Sequence, residues 1–278
     1  MLLTRHGFLW AFTTLVLAGL SSRVYPFDPV ADMSALYRTQ VDRQLDVPAV
    51  EVQRYAELAT EALVMAGVSL VQPQYLAVVD RDPNTQAFFL FWRSAQGEFQ
   101  WVGASPVSTG QPGSFDHFQT PLGVFDHTTA NPDFRAEGTR NSNGIRGYGA
   151  KGMRVYDFGW QRVPKGWGDG AVSDMRLQMH ATDPDLLERR LGSAQSKGCI
   201  RIPASLNRLL DHYGVLDADY ELALRNGRPL WVLDAQREPV PHPGRYLIVV
   251  ESGRAARPDW APAPFLVHHK PALLPGRR

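Results

Sequence analysis

The single cysteine of the chain, Cys199, follows a glycine and lies 19 positions after His180. A thiolate attacks carbonyl carbons, and a neighbouring imidazole can take the proton of a thiol, whose ordinary pKa is about 8.5, to form an ion pair. Gly198 permits a tight turn and exposes backbone N–H groups, including that of Cys199, to a developing oxyanion. If the segment is extended, Arg201 points away from Ile200, where its guanidinium could bind a substrate carboxylate. These residue types could carry out nucleophilic attack on a carbonyl, but a lone cysteine and one of several histidines also occur together by chance.

Each of these residues also has a structural alternative. Cys199 could be a buried thiol, His180 a core histidine bonded to backbone, and Arg201 a salt-bridge partner that braces the loop. Ser196 is either a loop-capping hydroxyl or a group near the substrate. Lys197 lies two residues before the cysteine, where an ammonium beside the thiol would favour the thiolate. The remaining histidines are assigned to the surface or to packing: His117, His127, His212, His242, His268 and His269.

The elements that must position this pair are predicted from local patterns. Residues 175–180 form a strand that ends on His180, and residues 199–202 form a strand or a tight turn. The Gly and Pro content, 24 and 21 residues, favours a β-rich domain over a helical bundle. Other predicted strands lie at residues 75–79, 87–92, 99–104, 229–233 and 246–249, and predicted short helices at residues 184–190 and 204–212.

The flanking segments have different patterns. Residues 28–69 have a helical pattern that Pro48 divides into two helices, which either pack on the following domain or space it from a membrane. Residues 131–170 are rich in Gly, Asn, Arg and aromatic residues. They are predicted as long loops with short strands that form a lid or a substrate wall, with Trp160 and Trp167 as candidate lining residues.

The N-terminus has an export pattern. A 13-residue apolar run, residues 8–20, follows Arg5 and His6, which is the length of a signal-peptide core and shorter than the ~20 residues of a membrane-spanning helix. Residues 1–22 are therefore predicted to be a signal peptide or an uncleaved membrane anchor, and the alternative is a buried N-terminal helix. This pattern predicts a protein of the periplasm or cell envelope, in contact with the envelope membrane if the segment stays uncleaved.

Composition and charge argue against several other classes of function. The 278 residues are 44% hydrophobic and 21% charged, with a net charge of +1 and no Lys/Arg run, so no nucleic-acid partner is expected. The 8 histidines and 1 cysteine show no spacing typical of a metal site, and neither a metal nor another cofactor is expected. One cysteine cannot form an intramolecular disulfide, so an exported chain would carry a free thiol.

The motif around the cysteine resembles a known family. Residues 196–201, Ser-Lys-Gly-Cys-Ile-Arg, are similar to the Ser/Thr-x-Gly-Cys-Ile/Val-Arg signature of the L,D-transpeptidase catalytic family (the YkuD-type domain), and His180 lies at that family's upstream distance. Lys197 replaces the histidine that many members carry before the glycine. Further segments that resemble the family's opening strands, its Pro-Val-Ser-Thr-Gly and Thr-Pro-x-Gly-x-Phe elements and its closing strand are residues 78–80, 87–92, 107–113, 120–125 and 227–233.

The resemblance extends over residues 74–234 and implies a fold class and domain order. It implies a mainly β, α+β fold in which a sandwich-like catalytic domain at residues 74–234 follows the helical segment 28–69. Residues 235–278 would add a C-terminal strand and a Pro-rich tail that is extended beyond residue 254.

The resemblance also implies a reaction on peptidoglycan stem peptides. Cys199 would attack the L-centre carbonyl of diaminopimelate in a tetrapeptide stem. D-Ala would leave with a proton from His180, and an amine of a second stem would resolve the thioester. The carbonyl of Ala181 would orient the imidazole. Groups implied to bind substrate or the oxyanion are Ser196, Lys197, Gly198 and Arg201.

Two alternatives to transpeptidation stay open at this point. Water in place of the amine would make the protein an L,D-carboxypeptidase or a related envelope hydrolase. A non-catalytic peptidoglycan-binding module is the alternative from another class, and it predicts that stem peptides bind while Cys199 is not acylated.

Overall fold

The computed structural model of the chain describes residues 27–263, and their fold is α+β, as the sequence predicts. Within these residues, nine strands form two mixed sheets, and four α-helices accompany them. The strands are β1 (Gln74–Asp80), β2 (Ala87–Arg93), β3 (Phe99–Pro106), β4 (Gly123–Asp126), β5 (Phe134–Arg135), β6 (Arg154–Pro164), β7 (Val172–Ala181), β8 (Ile200–Ile202) and β9 (Tyr246–Val250). The α-helices are α1 (Ala31–Gln40), α2 (Ala49–Met65), α3 (Ala204–His212) and α4 (Ala218–Arg225).

The first sheet has the strand order β3-β2-β1-β9-β4, and the second has the order β5-β6-β7-β8. Most neighbouring strands are antiparallel, but β9 runs parallel to β1, and β8 runs parallel to β7. The short strand β8 therefore lies at an edge of the second sheet, directly beside the strand that ends with His180 and Ala181.

The two sheets pack face to face, which agrees with a sandwich-like core. Tyr75, Ala77 and Val79 on one side of β1 share a buried cluster with Leu177 of β7 and Ile200 of β8. The intervening side chains of β1 belong to a second buried cluster under α2. Since both faces of β1 are covered, this strand is apolar along its length rather than alternating.

The predicted division of residues 28–69 at Pro48 is confirmed, because α1 and α2 lie on either side of this proline. In α1, the Tyr37 hydroxyl lies 2.6 Å from the hydroxyl of Ser105 in β3. In α2, the Tyr55 hydroxyl donates to the Asp80 carboxylate at 2.7 Å. Both helices therefore pack on the following domain, which is one of the two roles predicted for residues 28–69.

The predicted strand at residues 229–233 is wrong, because these residues form turns after α4, a helix that the sequence analysis did not predict. Pro229 has no N–H to contribute to a ladder. The side chain of Trp231 is 75% exposed, and the Val232 carbonyl accepts a hydrogen bond from Arg135 Nε at 2.8 Å. The first sheet is closed instead by β9, at the predicted position, and by β4.

Two further predictions need correction. Residues 131–170 contain β6, an 11-residue strand that crosses the second sheet with a bulge at Gly159. The loops of this range therefore lie mainly before Arg154 and in residues 165–170. Residues 184–190 form turns and a single 3-10 turn rather than a helix. The Asp183 carboxylate accepts the N–H groups of the second and third following residues, a local turn that competes with helix formation.

The predicted leader at residues 1–22 lies outside the described residues, as do residues 264–278 of the predicted tail. The described end of the tail packs on the first sheet, where the Trp260 ring lies 5.9 Å from the rings of Tyr55 and Phe89. Within residues 27–263, no helix combines the length and apolar character needed to cross a membrane.

A cluster of buried charged residues connects the loop after β4 with β6 and with the segment before α4. His127 Nε2 lies 2.9 Å from Asp133 Oδ1, and its Nδ1 lies 2.8 Å from the Leu216 carbonyl. Both partners only accept, so both ring nitrogens donate and the imidazole is positively charged. Arg154 donates to Asp133 and to Asp217, each at 2.7 Å, and the side chains of all four charged residues are fully buried. We call this set the buried ion cluster.

Candidate active site

The predicted nucleophile and base lie on the outer face of the second sheet. In register, His180 of β7 is opposite Arg201 of β8, and Cys199 lies immediately before β8. Along β7 the side chains alternate: Leu177 and Met179 are fully buried in the core, while the intervening positions face outward. Cys199, His180 and Arg201 therefore share one face, and the core occupies the other.

The loop that carries the thiol is clamped by the segment after β3. Ser108 and Arg201 exchange backbone hydrogen bonds at 3.0 and 2.9 Å. The Ser196 N–H donates to the Thr109 carbonyl at 2.9 Å, and the Ser196 carbonyl accepts the N–H of Gln111 at 3.0 Å. These bonds join the two sheets at the site and hold the residues around Cys199 in one backbone conformation.

Gly198 is required by both its backbone angle and its surroundings. Its φ is +136°, and a Cβ at this position would lie 2.8 Å from the Met175 methyl carbon. Its N–H donates to Ser196 Oγ at 3.0 Å, so this N–H is occupied within the loop instead of facing an oxyanion. Gly198 acts by permitting the turn, and the N–H of Cys199 remains the predicted oxyanion donor.

Two neighbours of the thiol have roles that differ from a direct contact with substrate. The Ser196 hydroxyl donates to the Cys199 carbonyl at 2.5 Å in addition to capping Gly198, which is the loop-capping alternative. Lys197 forms an ion pair of 2.8 Å with Asp116 at the surface, and its side chain is 62% exposed. Its charge is paired with a surface carboxylate, and the effect of its ammonium on the thiol stays a prediction.

The imidazole of His180 is oriented as the resemblance implies. Its Nδ1 lies 2.8 Å from the Ala181 carbonyl, which can only accept, so the proton is on Nδ1 and Nε2 carries a lone pair that has no hydrogen-bond donor among the described residues. Burial lowers the pKa of His180 to about 4, so the ring is neutral at pH 7. The ring of Tyr148 contacts the imidazole edge-on at a centroid distance of 4.7 Å.

The thiol of Cys199 is half-buried and rests in its neutral form. Burial raises its pKa, against the opposing effects of the Gln178 N–H and the Arg201 charge. In the described part of the chain, the hydrogen-bond partner of Sγ is the Arg176 carbonyl at 3.8 Å, not His180. The expected resting ion pair with His180 is therefore absent from residues 27–263, and proton transfer must accompany attack on a bound carbonyl.

Alkylation of the folded protein by iodoacetamide tests this protonation state. Since only the thiolate reacts, the raised pKa predicts that the rate increases with pH at a higher midpoint than in the urea-unfolded chain, and that it is several-fold slower at pH 7. Cys199 is the only cysteine, so mass spectrometry reads this one site, and Cys199→Ala is the blank. A midpoint below that of the unfolded chain would instead show a thiolate–imidazolium pair.

Arg201 has no carboxylate partner within residues 27–263. Its Nη1 donates to the Gln195 carbonyl at 3.3 Å, and its other guanidine nitrogens make no hydrogen bond there. The salt-bridge alternative is therefore not observed. A half-buried, uncompensated guanidinium beside His180 suits an anionic group of a substrate.

Four residues of this face were missed by the sequence analysis: Tyr148, Asp157, Arg176 and Gln178. Arg176 and Gln178 both contact the buried Asp157 carboxylate, and the Tyr148 hydroxyl donates to Gln178 Oε1 at 3.2 Å. The alternation of apolar and polar residues from Met175 to Ala181 was the signal that could have placed Arg176 and Gln178 beside His180.

The two tryptophans predicted to line the site lie in different environments. Trp160 is 64% exposed and lies opposite Arg176 on the face that carries the thiol. Trp167 packs instead against Phe118, with ring centroids 4.8 Å apart. Trp160 can therefore line the site, whereas Trp167 supports the loop beside it.

A cavity of about 450 Å³ is lined by β5, the loop after β5 and residues 147–149. Tyr148 is common to this cavity and to the imidazole contact, so the cavity adjoins the site. Within residues 27–263, no three His, Cys, Asp or Glu side chains are arranged to hold a metal ion.

Comparison with known proteins gives no matching family model and no matching curated protein. Among solved structures, a variant of the helical cell shape determining protein Pgp2 from Campylobacter jejuni is 13% identical, with a TM-score of 0.31. The alignment covers 75% of this chain and 58% of that chain, so this chain spans less than two thirds of the Pgp2 structure. A likeness at this TM-score does not bear on the function.

Proposed function

We propose that this protein is a cysteine-dependent L,D-transpeptidase of the cell envelope that acts on peptidoglycan tetrapeptide stems. The observation that carries the proposal is the shared face of Cys199, His180 and Arg201, with His180 Nδ1 fixed by the Ala181 carbonyl at 2.8 Å. The resemblance of residues 196–201 to the L,D-transpeptidase signature supports the choice of substrate.

In the first half-reaction, Cys199 Sγ attacks the L-centre carbonyl of diaminopimelate. His180 Nε2 accepts the thiol proton as the C–S bond forms, because a neutral imidazole with a free Nε2 lone pair is the available base. The same nitrogen then donates that proton to the departing amine of D-Ala, and a thioester remains. Arg201, opposite His180 in register, lies where it can pair with the carboxylate of the leaving D-Ala.

In the second half-reaction, an amine of another stem attacks the thioester carbonyl. The amine loses one proton to His180 Nε2, the C–N bond forms, the C–S bond breaks, and the thiolate recovers that proton. Water in place of the amine gives a tripeptide by the same path, which is the carboxypeptidase alternative.

One observation favours the non-catalytic alternative. The Cys199 thiol has a raised pKa and no hydrogen bond to His180 within residues 27–263. A peptidoglycan-binding module would tolerate both features, whereas an enzyme must bring the two groups together when substrate binds.

Product analysis with a disaccharide-tetrapeptide separates these functions. Purified protein is incubated with this muropeptide, and released D-Ala, cross-linked dimer and tripeptide monomer are quantified by liquid chromatography and mass spectrometry. We expect D-Ala release with dimer formation. Tripeptide alone would support the carboxypeptidase, and binding of the muropeptide without D-Ala release would overturn the enzymatic proposal.

A further inference from the structure

The guanidinium of Arg176 is held on the outer face of the second sheet by a buried carboxylate. Its Nε donates to Asp157 Oδ2 at 2.7 Å, and the Asp157 side chain is only 1% exposed. The same oxygen accepts from Gln178 Nε2 at 2.8 Å, and the other oxygen accepts the Gly159 N–H at 2.9 Å. This network fixes the guanidinium while using one of its five N–H groups.

The remaining donors of Arg176 are available to a ligand. Neither Nη1 nor Nη2 makes a hydrogen bond within residues 27–263, and the side chain is 38% exposed. The guanidinium carbon lies 5.8 Å from the centroid of the exposed Trp160 ring. A guanidinium anchored at Nε and resting on an aromatic ring presents its two terminal nitrogens as a pre-organised fork for a carboxylate.

Arg176 and Arg201 lie on opposite sides of the thiol along the strand direction. The Cys199 sulfur contacts the Arg176 carbonyl at 3.8 Å, whereas Arg201 is opposite His180, four residues further along β7 and about 13 Å away for an extended chain. Because His180 protonates the departing amine, the leaving group lies toward Arg201. The acyl part of the substrate therefore extends toward Arg176.

We propose that Arg176 binds a carboxylate of the acyl part of the donor stem and so selects stems in which that carboxylate is free. This inference rests on the proposed function. Two groups of the stem have the required chemistry, the side-chain carboxylate of diaminopimelate and the α-carboxylate of isoglutamate. Amidation of the recognised group removes its negative charge and turns N–H donors toward a cation, so the amidated stem is disfavoured.

Kinetics with three synthetic stems test the assignment: the free tetrapeptide, the tetrapeptide amidated at diaminopimelate, and the tetrapeptide amidated at isoglutamate. D-Ala release gives kcat/KM for wild type and for Arg176→Met. We expect the variant to lose about 30-fold on the free stem, as for a charge-assisted hydrogen bond, and less than about threefold on one of the amidated stems. The stem on which the effect of the variant disappears identifies the carboxylate.

Arg162→Met is the matched control, because Arg162 in β6 is 79% exposed and pairs with Asp174 in β7 at 3.7 Å, so its ion pair joins the same two strands as that of Arg176 and Asp157. It should act as wild type on all three stems. An equal loss by Arg176→Met on all three stems would overturn the inference and assign Arg176 a purely structural role as the partner of Asp157. Absence of D-Ala release from every stem by folded wild type would refute the proposed function itself, and this inference with it.

Discussion

Replacement of Cys199 by alanine is expected to abolish the covalent adduct that a carbapenem forms with the wild-type protein. A strained β-lactam carbonyl can acylate the proposed nucleophile, and the chain has no second thiol to take over. Intact-protein mass spectrometry should show one adduct on wild type and none on Cys199→Ala, a loss of at least about 1000-fold in acylation rate.

His180→Ala in the same experiment examines the base, with His242→Ala as the histidine control. His242 is exposed, in the loop before β9, and should not affect acylation. Removal of a general base slows such steps by about 100- to 10,000-fold, so the His180→Ala adduct should form slowly. An adduct on Cys199→Ala, or wild-type rates in His180→Ala, would contradict the assigned roles.

Replacement of Asp133 by alanine is expected to remove about 3–5 kcal/mol from the free energy of unfolding, because it leaves the buried charge of His127 without a carboxylate partner and removes one of the carboxylates that pair with Arg154, which keeps Asp217. Urea denaturation followed by tryptophan fluorescence measures this loss. Asp174→Ala removes an exposed carboxylate from its pair with Arg162 and should cost less than about 1 kcal/mol. Equal losses in the two variants would show that the buried ion cluster contributes little.

The same cluster sets a pH dependence of stability. Burial opposes the charged imidazolium, but the facing Asp133 carboxylate outweighs burial and raises the pKa of His127. Its contribution is thus complete below the unfolded pKa of about 6.5 and is lost as pH rises through the raised folded value. Burial acts to raise the pKa of Asp133, but the charges of His127 and Arg154 outweigh burial and lower this pKa to about 2. The contribution of Asp133 to the free energy of unfolding is therefore present above the pKa of an unfolded aspartate and is lost as the pH falls toward 2.

The sequence predicts the strands best where local pattern and tertiary packing agree. The strands β1, β2 and β3 and helix α3 lie where their apolar patterns predict them. Residues 229–233 are apolar as well, but they form no strand ladder, and Pro229 has no N–H to donate to one. The length of β6 was not predicted, because the glycine at its bulge, Gly159, and its aromatic residues are also typical of loops.

In the candidate site too, a local motif predicts some residues, whereas other contacts depend on how distant segments pack. Cys199, His180 and Ala181 could be predicted because they lie close in sequence and match a signature. The Asp157 carboxylate comes from a different strand, and its contact with Arg176 depends on the register of β6 against β7. The pairing of Lys197 with Asp116 depends on a distant loop, so no local pattern could show that its charge has a carboxylate partner.

The alternation along β7 has a consequence for laboratory evolution. Arg176 and Gln178 contribute to the outer face, while Leu177 and Met179 between them contribute to the core. A library that varies Arg176, Gln178 and Trp160, but retains their core-facing neighbours, changes the surface next to the nucleophile at little cost in hydrophobic packing. We therefore expect that the ligand preference of the outer face of the second sheet can be changed by substitution of individual side chains, without redesign of the backbone.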